Sequence, residues 1–414
     1  MKHEKMNYTY IGIDSHKSTH TAVFIDFFFE KLGDLTFTNL PSKFDDFLKE
    51  AEKFKMDGTT LLFGMEDVSA YGRSLAVFLT EKGYQVKHVN AALVVKERKN
   101  RNVVEKTDSI DAECVARVLL SRFAELPDAH LDDKYHALRT IVVRRSFVVK
   151  DYSRLKSHLH TLLRAHYPNY NDFFRAIDCK TSLAFFKHFP SPHTLSGVSP
   201  EELATFLKEP SRGQIGVGKA NTILSTLEKT TIEHQEIRDI AVQSTIRQLE
   251  FIILELEQLE ESMAEFLKHF NCTLMSMSGI DIVTAAQMLS CIGDIKKFSS
   301  SAKLARYAGI APVTYSSGKR DIRYATQKGN RELHTIFFTL SVRLIATKGS
   351  NSEIFNPFFY DYYHRKLKEG KTKRQALKCV ERRLVNIIWT MLTYGEEYVN
   401  PPRYDAPKKD AKTT

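Results

Sequence analysis

Only five cysteines occur in 414 residues (Cys114, Cys179, Cys272, Cys291 and Cys379), each far from the next, and no CxxC pair is present. A dispersed, odd-numbered set argues against both a disulfide framework and a cysteine-ligated zinc site. No apolar run is long enough to cross a bilayer, and no signal-peptide core is found at the N-terminus. These absences make a reducing cytoplasm, bacterial by default, the expected compartment. An acidic surplus is also missing: Lys+Arg number 60 against 50 Asp+Glu, a net charge of +10. That balance suits a polyanionic partner, although taken alone it is weak evidence for one. Apolar content of 43% and charged content of 27% are those of a globular chain. The length allows two or three domains, each with its own core.

Against this background four acids stand out in the first quarter: Asp14, Glu66, Asp108 and Asp111. Asp14 lies in YTYIGIDSHKSTHTAVFID, which reads as strand, tight turn, strand. Glu66 closes the apolar run TTLLFGMED and shares parity with Leu62 and Gly64. Asp108 and Asp111 are three apart in KTDSIDAECVARVLL, so a helix places both on one face. Each acid also has an ordinary reading. Asp14 can shape a turn, Thr107 or Asp108 can cap the helix, and Asp111 can be a first-turn acid favoured by the helix dipole. Gathered at one point, however, carboxylates repel and call for a cation. Oxygen ligands suit Mg²⁺, with Mn²⁺ possible, and such ions serve phosphodiester chemistry. Lys17 and Lys106 flank the acids and read as surface residues that could also neutralise phosphate.

The pattern predicts strands at Tyr8–Asp14, Thr19–Phe28, Leu35–Thr38, Thr60–Glu66 and Gln85–Val89, with helices at Pro41–Phe54, Gly72–Lys82 and Thr107–Ser121. That order suits a mixed sheet with an antiparallel meander at one side. From Lys134 to about Tyr167 the period becomes helical, with a basic face that includes Arg144, Arg145 and Arg154. Residues 169–215 are less periodic, with Pro190, Pro192, Pro200 and Pro210 as breakers. A long helix over about Thr230–Phe270 reads as one arm of a helical hairpin or coiled coil, or as a bundle helix. Residues 272–398 read as mainly helical. Gly279 and Gly293 flank an apolar helix there, a pattern that can offer backbone amides to phosphate. Downstream, PVTYSSGKRDIRYATQKGNRELH places Ser316 and Ser317 in an expected loop before Gly318, followed by Lys319, Arg320 and Arg323. A serine among cations can attack a phosphodiester, although Ser-Ser-Gly is also an ordinary turn. The polar tail 400–414 reads as disordered.

Taken together, IGIDSHK, MEDVSAYG, KTDSIDAECVA, LMSMSGI, FSSSAKLARYAGIAPVTYSSGKR and KGNRELH resemble the conserved blocks of the IS110/IS1111 group of insertion-sequence transposases, over nearly the whole chain. The resemblance implies a RuvC-like, RNase H-type α/β domain over 1–125, a helical coiled-coil region over 126–270 and a mainly α-helical C-terminal transposase domain over 271–399. Asp14, Glu66, Asp108 and Asp111 would ligate Mg²⁺, and Ser317 would be the nucleophile, with Ser316 the runner-up. The implied partners are donor and target DNA, an element-encoded bridge RNA, and further copies of the chain in a dimer or tetramer, serine and acids coming from different protomers. Arg144, Arg145, Arg154, Lys319, Arg320 and Arg323 are the expected nucleic-acid contacts. One departure is Ser69, where the family usually has glycine three residues after its Glu. Two other functions compete: a metal-dependent nuclease or junction resolvase using water, and an assembly protein without chemistry.

Overall fold

The structure, a computed structural model, describes residues 3–66, 68, 70–101, 105–129, 133–227, 234–317, 320–324, 328–348 and 353–400. Asp67, Ser69, Gly318, Lys319 and the tail 401–414 lie outside the described residues. The chain divides into two compact units, Met1–His136 and Ala137–Thr414.

In the first unit, alternating apolar residues build the hairpin β1 (Tyr8–Ser15) and β2 (Thr19–Ile25), extended by β3 (Lys31–Thr38). Then follow α1 (Phe44–Glu52), β4 (Thr60–Met65), α2 (Arg73–Glu81), β5 (Gln85–His88), α3 (Ala91–Asn100) and α4 (Asp108–Arg122). The sheet order is β3-β2-β1-β4-β5. β1–β2 and β2–β3 are antiparallel, whereas β1–β4 and β4–β5 are parallel. This is the expected mixed sheet. β2 stops at Ile25, short of Phe28, because the Asp26 carboxylate accepts the amides of Phe28 and Glu30 and turns the chain. Pro41–Lys43 form a 3-10 turn ahead of α1. α3 was not anticipated: among its residues only Val94 is buried, so KERKN carries no apolar stripe.

Period-2 alternation sends Ile11, Ile13, Phe24, Phe63 and Met65 to one face, where α1 and α2 cover them with Phe44, Phe47, Leu75 and Leu79. Tyr10, Val23, Ile25 and Leu62 point to the other face, against α3 and α4. Gly12 and Gly64, paired in the β1–β4 register, lie under α4. A Cβ on Gly12 would come within 2.1 Å of the Ala112 carbonyl oxygen and 2.2 Å of the Ala116 amide. The missing side chain is what lets the α4 backbone rest on the strand.

α5 (Asp133–His166) leads into the second unit, where α9 (Gln235–Leu267) packs along it. Leu138 and Val142 share a core with Met263 and Leu267, while Leu159 and Leu163 share another with Val242, Ile246 and Leu249. The two helices are therefore antiparallel. Between them α6 (Lys180–His188), α7 (Pro200–Lys208) and α8 (Val217–Ser225) surround an aromatic cluster that includes Tyr167, Phe173, Phe185 and Phe186. Pro200, expected as a breaker, instead opens α7 at its first position behind a Ser199/Glu202 capping box.

The C-terminal part holds α10 (Ile282–Ile292), α11 (Ser301–Tyr307), the hairpin β6 (Val313–Ser317) and β7 (Arg320–Tyr324), α12 (Arg331–Leu344), α13 (Pro357–Lys368) and α14 (Lys373–Tyr394). Ser316 and Ser317 are thus the last residues of a strand, not loop residues, with Ser317 opposite Arg320 and Ser316 opposite Asp321. The alternation Val313, Tyr315, Ser317 against Arg320, Ile322, Tyr324 suits a ladder, which outweighs the turn preference of Ser-Ser. Among the described residues no helix is long and apolar enough to cross a membrane.

Candidate functional site

Strand parity decides where the acids of the first unit go. Asp14 follows Tyr10 and Gly12 on the α4 face of β1. The parallel register ends on the pair Ile13 and Met65, so Asp14 and Glu66 are the next residues along the two neighbouring strands' chains. Glu66 is the first residue beyond β4 and is half-buried. α4 starts above this strand end, its N-cap Thr107 accepting the Ile110 amide, which leaves Asp108 free of the capping role.

Asp14 and Asp108 are brought together by His16, a residue not singled out in the sequence. Its Nε2 lies 3.2 Å from Asp14 Oδ2 and 3.2 Å from Asp108 Oδ1. One ligand atom from each of the three falls within 4.8 Å of the others. His16 is two residues beyond Asp14, and the β1–β2 turn, closed by the His16 amide donating to Thr19 O, directs it back over the strand end. Asp111 and Glu66 are not members of this trio. Asp111 accepts from Arg98 Nη1 at 2.6 Å, and both side chains are largely shielded. Arg98 belongs to the unanticipated α3. The sequence signal for it was the basic run KERKNR immediately ahead of the acidic block.

Burial raises the Asp14 carboxyl above its ordinary value, and the charges of Asp108 and Asp111 push the same way while His16 opposes them. Ionised Asp14 is thus disfavoured chiefly by its burial and secondarily by its acidic neighbours. Two carboxylates and an imidazole, converging within 4.8 Å of one another, form a donor set that fits a divalent cation. His16 widens the choice toward Mn²⁺, since imidazole is a softer ligand than Mg²⁺ prefers.

The other expected site residues lie in the second unit. Arg145 is drawn onto α9 by Glu260 at 2.6 Å, and Arg144 meets Glu255 at 3.0 Å. Both cations serve the α5–α9 seam. Arg154 remains 78% exposed, in contact with Asp151 one turn back. Arg320 and Arg323 lie on β7, Arg320 in register with Ser317 and Arg323 with Thr314. Lys319 is outside the described residues.

Comparison with known proteins gives two family matches. Residues 11–168 match a family model described as transposase, and residues 271–356 match one described as transposase of the IS116/IS110/IS902 family. Both matches define the class, a DNA-processing transposase. An uncharacterized 44.8 kDa protein of insertion element IS116 from Streptomyces clavuligerus is 24% identical over 393 residues, 92% of this chain and 94% of the relative. A 43.6 kDa protein of insertion element IS110 from Streptomyces coelicolor is 27% identical over 300 residues, 71% and 72% of the two chains. A pilin gene-inverting protein of Moraxella bovis is 23% identical over 399 residues, 95% of this chain and 98% of the relative. The chain belongs to the IS110 family of insertion-element transposases.

Proposed function

We propose that this transposase exchanges DNA strands with a divalent-metal acidic site and a serine nucleophile. The observation that carries the reading is the convergence of Asp14, His16 and Asp108 around a carboxyl whose acidity burial and like charges have weakened. Asp14, Asp108, Glu66 and Asp111 would hold Mg²⁺ or Mn²⁺, with His16 as a further ligand or as the group the ion displaces. Bound there, the ion supplies positive charge against that developing on a scissile phosphate and lowers the pKa of a nearby hydroxyl. The sheet order and the helices on both faces support an RNase H/RuvC-like description of the first unit. The same reading divides the chain at 1–125, 126–270, 271–399 and 400–414, with the middle region as coiled coil.

In this reading Ser317 Oγ attacks the phosphorus, forming a phosphoserine ester as the P–O bond to the neighbouring nucleotide breaks. The serine proton ends on the released DNA hydroxyl. A second DNA hydroxyl then reverses the exchange and frees the serine. Ser317, at the hairpin end and opposite Arg320, is favoured over Ser316, whose register partner is the acidic Asp321. Arg320, Arg323, Lys319 and the exposed Arg154 would contact donor and target DNA or a bridge RNA, and a dimer or tetramer would bring serines and acids together. The pilin gene-inverting relative supports recombination between DNA sites as the outcome.

The test uses DNA carrying element ends, Mg²⁺ and denaturing electrophoresis. Wild type should trap a covalent protein–DNA band that maps by mass to Ser317, and Ser317→Ala should lose it. Cleavage by Ser317→Ala without any adduct would instead establish water as the nucleophile, as in a resolvase-like nuclease.

A further inference from the structure

The block KGNRELH builds a second site, within the second unit. Gly309, at the end of the turn after α11, and Gly329 both adopt positive φ, +68° and +130°. A Cβ on Gly329 would stand 2.6 Å from Gly309 N and 2.8 Å from Tyr307 O, so only two glycines permit this approach. The contact is fastened by the Asn330 amide donating to Tyr307 O at 2.7 Å and by Asn330 Nδ2 donating to Tyr307 Oη at 3.2 Å. Beside it opens a cavity of about 350 Å³, lined by Lys328, Arg331, His334 and Thr335 with the Gly309 and Gly329 backbone.

The charges around this cavity are unevenly matched. Glu332 is held by Arg139 at 2.6 Å. Glu381, 3% exposed on α14, is held by Lys378 at 2.7 Å. Among the described residues no carboxylate pairs with Arg331. Lys378 Nζ also lies 2.8 Å from His334 Nε2. An ammonium has only donors, so Nε2 must accept, and the ring proton of a neutral His334 must sit on Nδ1. Burial and the Lys378 charge both lower the His334 pKa, which keeps the ring neutral. The buried Glu381 also accepts from Lys378 Nζ, and so holds the ammonium against the ring from behind. Among the described residues the Nδ1–H has no partner.

We infer that this cavity seats a backbone phosphate of the DNA, with Arg331 as its charged clamp and His334 as a neutral Nδ1–H donor oriented by Lys378 and Glu381. It rests on the chain acting on DNA, and is independent of the metal and serine readings. Two non-bridging oxygens can take the guanidinium and the imidazole N–H together. A neutral donor adds affinity without releasing a counterion, which separates the two roles experimentally.

Anisotropy of a labelled duplex, titrated with the full-length protein from about 50 to about 200 mM salt, reads both. Arg331→Gln should weaken binding uniformly across sequences and reduce the log–log salt slope by about 0.9. His334→Leu should weaken binding about fivefold to tenfold with an unchanged slope, and His334→Gln, which restores an N–H donor, should recover most of it. Melting curves of the free variants guard against misfolding. Independently of folding of any variant, ¹⁵N-histidine spectra of wild type should show His334 protonated at Nδ1 and shifted by inorganic phosphate. An Nε2–H tautomer, no response to phosphate, or an Arg331→Gln slope equal to wild type would overturn the proposal. So would losses seen with RNA of the same sequence but not with DNA.

Discussion

Asp14 shows how much a single residue depends on its neighbours for its meaning. Its folded pKa is raised, so the ionised form is penalised on folding at pH above that value, and the penalty disappears as the pH falls below the unfolded carboxylate range near 4. Asp14→Asn should therefore raise the Tm of the metal-free protein at neutral pH, and the difference from wild type should shrink toward pH 4. The same variant should lose most of the Tm gain that Mn²⁺ or Mg²⁺ gives wild type at neutral pH. An unchanged gain, measured by differential scanning fluorimetry with and without chelator, would remove Asp14 from the metal site. His16 and Arg98 were not legible as partners of these acids. His16 reaches them through a turn, and Arg98 through a helix that has no apolar period.

At the level of elements, α4 on β1 is the contact that positions the acids. Gly12→Ala would drive a methyl group into the α4 backbone, which cannot move as a side-chain tip can. A destabilisation of about 3 kcal/mol is expected, at the upper end for overpacking, together with loss of metal-induced stabilisation as Asp108 moves off Asp14. Chemical denaturation measures the first effect, and wild-type stability for Gly12→Ala would contradict the packing described. The strands and α4 were readable because period-2 and period-3.6 patterns were clean, and errors fell at ends. Asp26 truncated β2, and β6 ran on through two serines whose local preference is a turn. Neither outcome follows from local propensity, because a ladder partner or a side-chain acceptor overrides it.

For the whole molecule, the +10 charge is carried by cations that differ in how far they are committed to packing. Arg144 and Arg145 are used within the α5–α9 pair, whereas Arg154 is mostly exposed. DNA affinity should fall linearly in log–log salt plots, by about 0.9 in slope for each phosphate neutralised. Arg154→Gln should reduce that slope, while Arg145→Gln should act mainly on stability by leaving Glu260 without its partner. A flat salt dependence would exclude phosphate contacts as the source of binding. The matches over 11–168, which takes in α5, and 271–356 leave α6 to α9 between them, so the family signature is carried by two separated parts of the chain.

The sequence by itself determined the mixed α/β first unit, the long helices, the family and the acids worth watching. These depend on local periodicity and on ordered short blocks, both of which survive in one dimension. Only the tertiary structure decided that His16 sits between Asp14 and Asp108, that Arg98 takes Asp111, and that Lys378 and Glu381 set the His334 tautomer. Each is a contact between residues whose approach depends on backbone packing at Gly12, on a turn, or on two helices crossing. Sequence spacing has no coordinate for such approaches, and a few tenths of an ångström decide them.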